Sequence, residues 1–261
     1  MSEHRLGRAL VVVLAAGCLA VGCASTTTGS TTTDAAPAAK THSIVALGDS
    51  VPRGTNCNCT PYPPLTAAGV SNASGDKVTA TNDAVAGYTT KNVLNQLDNN
   101  EDVISHVKKA DIVEIEIGAN DVAYSSTCGT SVDCYAPKVP MLKENLLSIV
   151  RRAQSLVAGH KHLVVLLDYW SIWLGGKYAA SKGQAYVDAA EEMTDRVNSA
   201  IRATASKTGS AYVDLRSAFK GPNYTYDETK YLSDDGDHPN AAGHRKIATA
   251  TGAVIEKALH I

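Results

Sequence analysis

A hydroxyl, an imidazole and a carboxylate that could share one proton relay are spread along this chain, each at an abrupt change of character. Gly48-Asp49-Ser50 ends the apolar run Ile44 to Leu47, and Asp234-Asp235-Gly236-Asp237-His238-Pro239 closes a polar, tyrosine-rich stretch. A serine attacks a carbonyl only if a base takes its proton. The base in turn needs a carboxylate to fix its tautomer, and the developing oxyanion needs N–H donors. Those requirements select Ser50 as nucleophile, His238 as base and Asp235, three residues before it, as the orienting acid. Asp234 and Asp237 stand as alternatives for the acid, since only spacing separates the three. The candidate oxyanion donors are the backbone N–H groups of Ser50 and Gly87 and the side-chain amide of Asn120. Each group alone has a plainer reading: a turn former, a helix cap or a surface histidine.

The elements that must position these groups follow from the hydrophobic pattern. Ile44 to Leu47 is apolar without alternation, which suits a strand covered on both faces. Further strands are expected over Lys77 to Val85, Asp111 to Ile117, Leu163 to Leu167 and Ala211 to Leu215. Helices are expected over Pro63 to Ala68, from Thr89 or Thr90 through Leu97, over Met141 to Val157, over Gln184 to Lys207 and over Asn240 to Leu259. In the Met141 to Val157 helix, Leu142, Leu146, Ile149, Val150, Ala153 and Val157 form one stripe. Strands alternating with helices at this spacing imply right-handed crossovers and a parallel sheet with helices on both faces. Ser50, Gly87 and Asn120 each follow an expected strand, so they converge on the edge where such sheets place ligands. Tyr169, Trp170 and Trp173 follow the fourth strand at that edge, either lining a pocket or filling the core. The pattern gives no account of Glu114 and Glu116, two charges in a strand that should be buried.

Gly48-Asp49-Ser50, Asn82 through Gly87, Gly118-x-Asn120-Asp121 and Asp235-x-x-His238-Pro239, in this order, resemble the motif blocks of the SGNH hydrolases, the GDSL-type lipases and esterases. The resemblance spans the chain from about Ser43 onward. It implies a three-layer α/β/α, flavodoxin-like fold with a mostly parallel five-stranded sheet. It also implies a Ser50-His238-Asp235 triad, oxyanion donors at Ser50, Gly87 and Asn120, and no metal or cofactor. Val51 stands where the family's name has leucine. The expected activity is hydrolysis of carboxylic esters, either lipid acyl esters or O-acylated glycans, through an acyl-enzyme. Acyl transfer to another acceptor, or non-catalytic binding of envelope glycan or lipid on the same fold, are the alternatives.

The N-terminus reads as an export signal. Arg5 and Arg8 precede the apolar run Ala9 to Val21, and Ala20-Val21-Gly22-Cys23 resembles a bacterial lipobox. The expectation is a signal peptide over 1–22, lipidation at Cys23, a flexible Ser/Thr/Ala-rich tether over 23–41 and one hydrolase domain over 42–261, of about 220 residues. Cys18 is a second lipidation candidate, and plain secretion is the alternative. An N-terminal lipid anchor would make a membrane the partner. The expected location is the extracellular face of the bacterial membrane, or outside the cell, and the expected state is a monomer. A net charge of −2 without a basic run argues against nucleic acid. Cys57, Cys59, Cys128 and Cys134 suit disulfides in an exported protein. Cys128–Cys134 is the favoured local pair, with cross-pairing of the two loops open.

Overall fold

The computed structural model describes residues 39–260. The expected signal peptide, the lipidation candidates Cys18 and Cys23 and nearly all of the tether lie outside the described residues. The elements run β1 (Thr41–Gly48), α1 (Ser50–Arg53), α2 (Tyr62–Ser74), β2 (Lys77–Asn82), α3 (Thr90–Asn99), α4 (Glu101–Lys108), β3 (Ile112–Glu116), α5 (Val132–Tyr135), α6 (Val139–Val157), β4 (Leu163–Leu167), α7 (Gly176–Ala180), α8 (Gln184–Thr208), β5 (Ala211–Val213), α9 (Leu215–Lys220) and α10 (Ala241–Leu259).

The five strands form one sheet in the order β2-β1-β3-β4-β5, and every pair is parallel. The helices pack in two groups, α2 with α10, and α3, α4 and α8 around α6. All five residues of β3 are buried, as a central strand covered on both faces requires. The stripe expected on α6 is the buried one, from Leu142 to Val157. Asn240 does not begin the closing helix but caps it, its side chain accepting from the backbone N–H groups of Ala242 and Gly243.

Several boundaries differ from the sequence reading for local reasons. The second strand stops at Asn82, whose side chain donates to the Pro52 carbonyl and accepts from the Ala84 N–H, turning the chain away. The short helix expected over Pro63 to Ala68 runs on to Ser74 before Gly75 ends it. Leu215 leaves the fifth strand because the Asp214 side chain caps α9, accepting from Ser217 N–H at 2.7 Å. A further helix, α4, starts at once after α3, because Asn100 closes one and caps the other. Both cysteine pairs are local, Cys57–Cys59 and Cys128–Cys134.

Glu114 and Glu116 share one face of β3 and are fully buried, beside the small Ala46 and Gly48 of β1 in register. Burial pushes both carboxyls well above the usual carboxylate range, and the Asp49 charge adds to this for Glu116. Burial thus favours the neutral form of both, with the Tyr62 hydroxyl beside Glu116.

Candidate active site

The β1 to α1 turn is built to present Ser50. Gly48 sits at φ +151, and a Cβ there would run into the Glu116 carbonyl, so only glycine lets β1 end this close to β3. Asp49 caps α1, with Oδ1 accepting from Val51 N–H at 3.1 Å. Its Oδ2 accepts from the Tyr169 hydroxyl at 2.7 Å. Burial raises the Asp49 carboxyl to about 6, against the lowering effect of both hydrogen bonds. Ser50 is then the first residue of α1, and Gly54 closes that helix with its N–H on the Ser50 and Val51 carbonyls.

His238 stands on a tight loop. Leu232 and Pro239 form an antiparallel bridge, Ser233 N–H donates to the His238 carbonyl at 2.8 Å, and Gly236 N–H donates to Ser233 at 3.0 Å. Gly236 turns the chain at φ +75, where a Cβ would lie 2.5 Å from the Tyr178 side chain. Of the three neighbouring aspartates, Asp235 is the one that meets the imidazole. Its Oδ2 accepts from His238 Nδ1 at 2.7 Å and from Asn56 Nδ2 at 2.6 Å, and its Oδ1 accepts from the backbone N–H groups of His238 and Asp237. Partial burial raises this carboxyl, but the hydrogen bonds, Asn56 first, outweigh it and hold it at about 2. An ionised Asp235 on Nδ1–H leaves the Nε2 lone pair of a neutral ring free to accept a proton.

Ser50, His238, Asn120 and the three aromatics Tyr169, Trp170 and Trp173 line one cleft of about 480 Å³. Ser50 Oγ has no hydrogen-bond partner among the described residues, so a shared cleft, not a direct bond, relates it to His238. Asn120 lies on a single 3-10 turn, Ala119–Val122. Asp121 ties that turn to α3 by accepting from Thr90 N–H at 2.9 Å, and Asn120 Nδ2 donates to the Tyr88 carbonyl, also at 2.9 Å. An amide carries two N–H donors, so one is left for the cleft. Gly87 lies in the exposed turn after β2 and is not among the lining residues, although its neighbour Tyr88 is bonded to Asn120.

The aromatics satisfy both readings offered by the sequence, being buried and on the cleft wall. Trp170 stacks on Phe219 with centroids 4.3 Å apart, and Trp173 Nε1 donates to the Val122 carbonyl. Tyr124, Tyr186 and Lys182 also line the cleft and carry no signal in the sequence, while Asp237, the alternative acid, lies on its wall without meeting the imidazole. Burial raises the Asp237 carboxyl. Among the described residues, Cys57, Cys59 and His244 are the grouping close enough for a metal. They do not form a ligand set, because the sulfurs are bonded to each other and His244 Nδ1 accepts from Tyr62 N–H at 3.2 Å.

The model of the GDSL-like lipase/acylhydrolase family matches residues 46–246. No curated protein matches the sequence. Among solved structures, a lipase from a goat rumen metagenome is 20% identical at a TM-score of 0.63, the match covering 82% of this chain and 97% of that one. An acetylxylan esterase from Geobacillus stearothermophilus is 21% identical at 0.60, covering 83% and 95%. At these identities the likeness is one of fold.

Proposed function

The chain belongs to the GDSL-like lipase/acylhydrolase family, and from that premise we propose that it is a serine carboxylic-ester hydrolase working through an acyl-enzyme on Ser50. The observation that carries this reading is the His238–Asp235 pair at 2.7 Å, with His238 on the same cleft as Ser50. His238 Nε2 takes the Ser50 proton as Oγ adds to the ester carbonyl, and Asp235 holds Nδ1–H and offsets the positive ring. The oxyanion is met by the Ser50 N–H and the free Asn120 amide hydrogen, with Gly87 N–H the third candidate. His238 then protonates the departing alcohol, and water repeats the sequence to free the acid and restore Ser50.

The substrate is a lipid acyl ester or an O-acylated glycan. The mixed wall supports an ester with an apolar and a polar part: Tyr169, Trp170 and Trp173 are apolar surface, while Lys182 and Asp237 are polar. Lipidation at Cys23 would place the protein on the outer face of the bacterial membrane.

The test is intact-mass labelling with a fluorophosphonate beside Ser50→Ala, followed by p-nitrophenyl esters of graded chain length. One adduct, absent from the variant, together with a loss of at least ~10⁴-fold in kcat, is the expected result. A folded protein that takes no adduct would turn the proposal toward a binding role.

A further inference from the structure

We infer that Asn56 is a positioning residue, which ties the segment carrying Ser50 to the Asp235 carboxylate and is itself held by the Cys57–Cys59 ring. The inference rests on the reading of Ser50 and His238 given above. Asn56 Nδ2 lies 2.6 Å from the same Asp235 oxygen that accepts from His238 Nδ1. A second bond runs the other way, from Ser233 Oγ to the Asn56 carbonyl at 3.1 Å. On its other side Asn56 continues directly from α1: Thr55 N–H reaches the Ser50 carbonyl at 3.0 Å, and Cys57 N–H reaches Gly54. One short segment thus spans from the nucleophile's helix to the loop of the base, two regions the sheet alone brings only to the same edge.

The backbone here is specific. Asn56 sits at φ 57, in the left-handed region that asparagine tolerates better than most residues, and Asn58 does the same at φ 47. The disulfide closes around Asn58 and fixes the exit of this turn. Asn56 is not among the residues lining the cleft, so its removal should act on the proton relay and not on substrate binding. The charged and titratable groups facing His238 besides Asp235 are Asp49, Asp237 and His244, with Lys182, Tyr124 and Tyr186 on the cleft wall.

Two substitutions separate the amide from the backbone it stands on. Asn56→Gly keeps the left-handed backbone and deletes the donor. Its expected effect is a fall in kcat of about 10-fold, the worth of a hydrogen bond to a charged group, with KM nearly unchanged. Asn56→Asp also tolerates the backbone but sets a carboxylate against Asp235, favouring the protonated imidazole. It should move the acid limb of the pH–rate profile upward by about one unit. Cys57→Ser/Cys59→Ser should lower kcat in the same direction by less.

The experiment measures kcat and KM for p-nitrophenyl acetate from pH 5 to 9 on wild type, Ser50→Ala and these variants, each checked for an intact thermal transition. The His238 imidazole is titrated alongside by NMR, which needs no turnover. A folded Asn56→Gly with wild-type kcat, or a folded Asn56→Asp whose His238 midpoint does not rise, overturns the role of Asn56. A double serine variant with unchanged kcat overturns the role of the ring. Activity surviving in Ser50→Ala would instead overturn the esterase reading, leaving the NMR titration to decide on Asn56.

Discussion

Asp49 and Asp235 each sit within three residues of a side chain proposed to act in catalysis, Ser50 and His238, yet their surroundings are opposite. Asp49 is 1% exposed and has two donors, Val51 N–H and the Tyr169 hydroxyl, and its carboxyl is raised to about 6. Asp235 keeps 29% of its side chain exposed, has four donors, and is lowered to about 2. Donors alone do not decide this. Asp168, at the end of β4, accepts from Tyr212, Leu215 and Arg216 and is still held up at about 7, because it is fully buried. Burial wins at the sheet, and hydrogen bonding wins only where water shares the load. The sheet end therefore holds acids that burial makes harder to ionise, and the loop holds a carboxylate that its hydrogen bonds keep charged against the His238 imidazole.

The sharpest way to break this contrast is one edit made on both sides. Asp235→Asn removes the charge that holds His238 Nδ1–H, and kcat should fall on the order of 10⁴-fold. Asp49→Asn keeps an acceptor for one of its two donors, and kcat should stay within about 10-fold of wild type. Equal losses in steady-state assays of the two variants would erase the distinction.

Stability against pH gives the next largest effect, with opposite signs for the two regions. Asp49 and Asp168 are raised in the folded state. Their contributions are fully present below the unfolded value of 3.8 and are lost as pH rises through about 6 and about 7. They are worth about 3 kcal/mol for Asp49 and about 4 kcal/mol for Asp168. Asp235 is lowered, so its contribution is present above 3.8 and lost as pH falls through about 2, and solvent screening of this partly exposed group keeps it small. The melting temperature should therefore decline between pH 4.5 and 7.5, and Asp49→Asn/Asp168→Asn should flatten that decline. Smallest of all, Glu114→Gln should change unfolding free energy by less than about 1 kcal/mol at pH 5, because it replaces a group that is already neutral. Urea titration reads this directly, and a large loss would mean that Glu114 is ionised in the folded protein.

These contrasts also mark what could be read without coordinates. Strands β1 and β4 were legible because unbroken apolar runs leave one reading, and the α6 stripe because its period is helical. Asp235 was found by its three-residue offset from His238, which is what lets a tight turn fold it back onto Nδ1. The full burial of Glu114 and Glu116, which favours their neutral form, was not legible, since it arises only when β3 is placed centrally in the sheet. Helix α4 was missed because Asn100 serves two helices at once, so no loop separates them. Asn56 carried no signal at all: its partner lies 179 residues away in an aperiodic loop.

One consequence of the topology concerns how the protein is made. Ser50 follows β1 near the start of the described domain, while His238 precedes α10, which must dock on α2 and place His244 against Tyr62 N–H. Contacts between segments far apart in sequence close later than local ones, because the loop-closure entropy comes first. A half-made or half-folded chain thus presents Ser50 without His238, and on the proposed mechanism it would stay latent toward esters until α10 has docked.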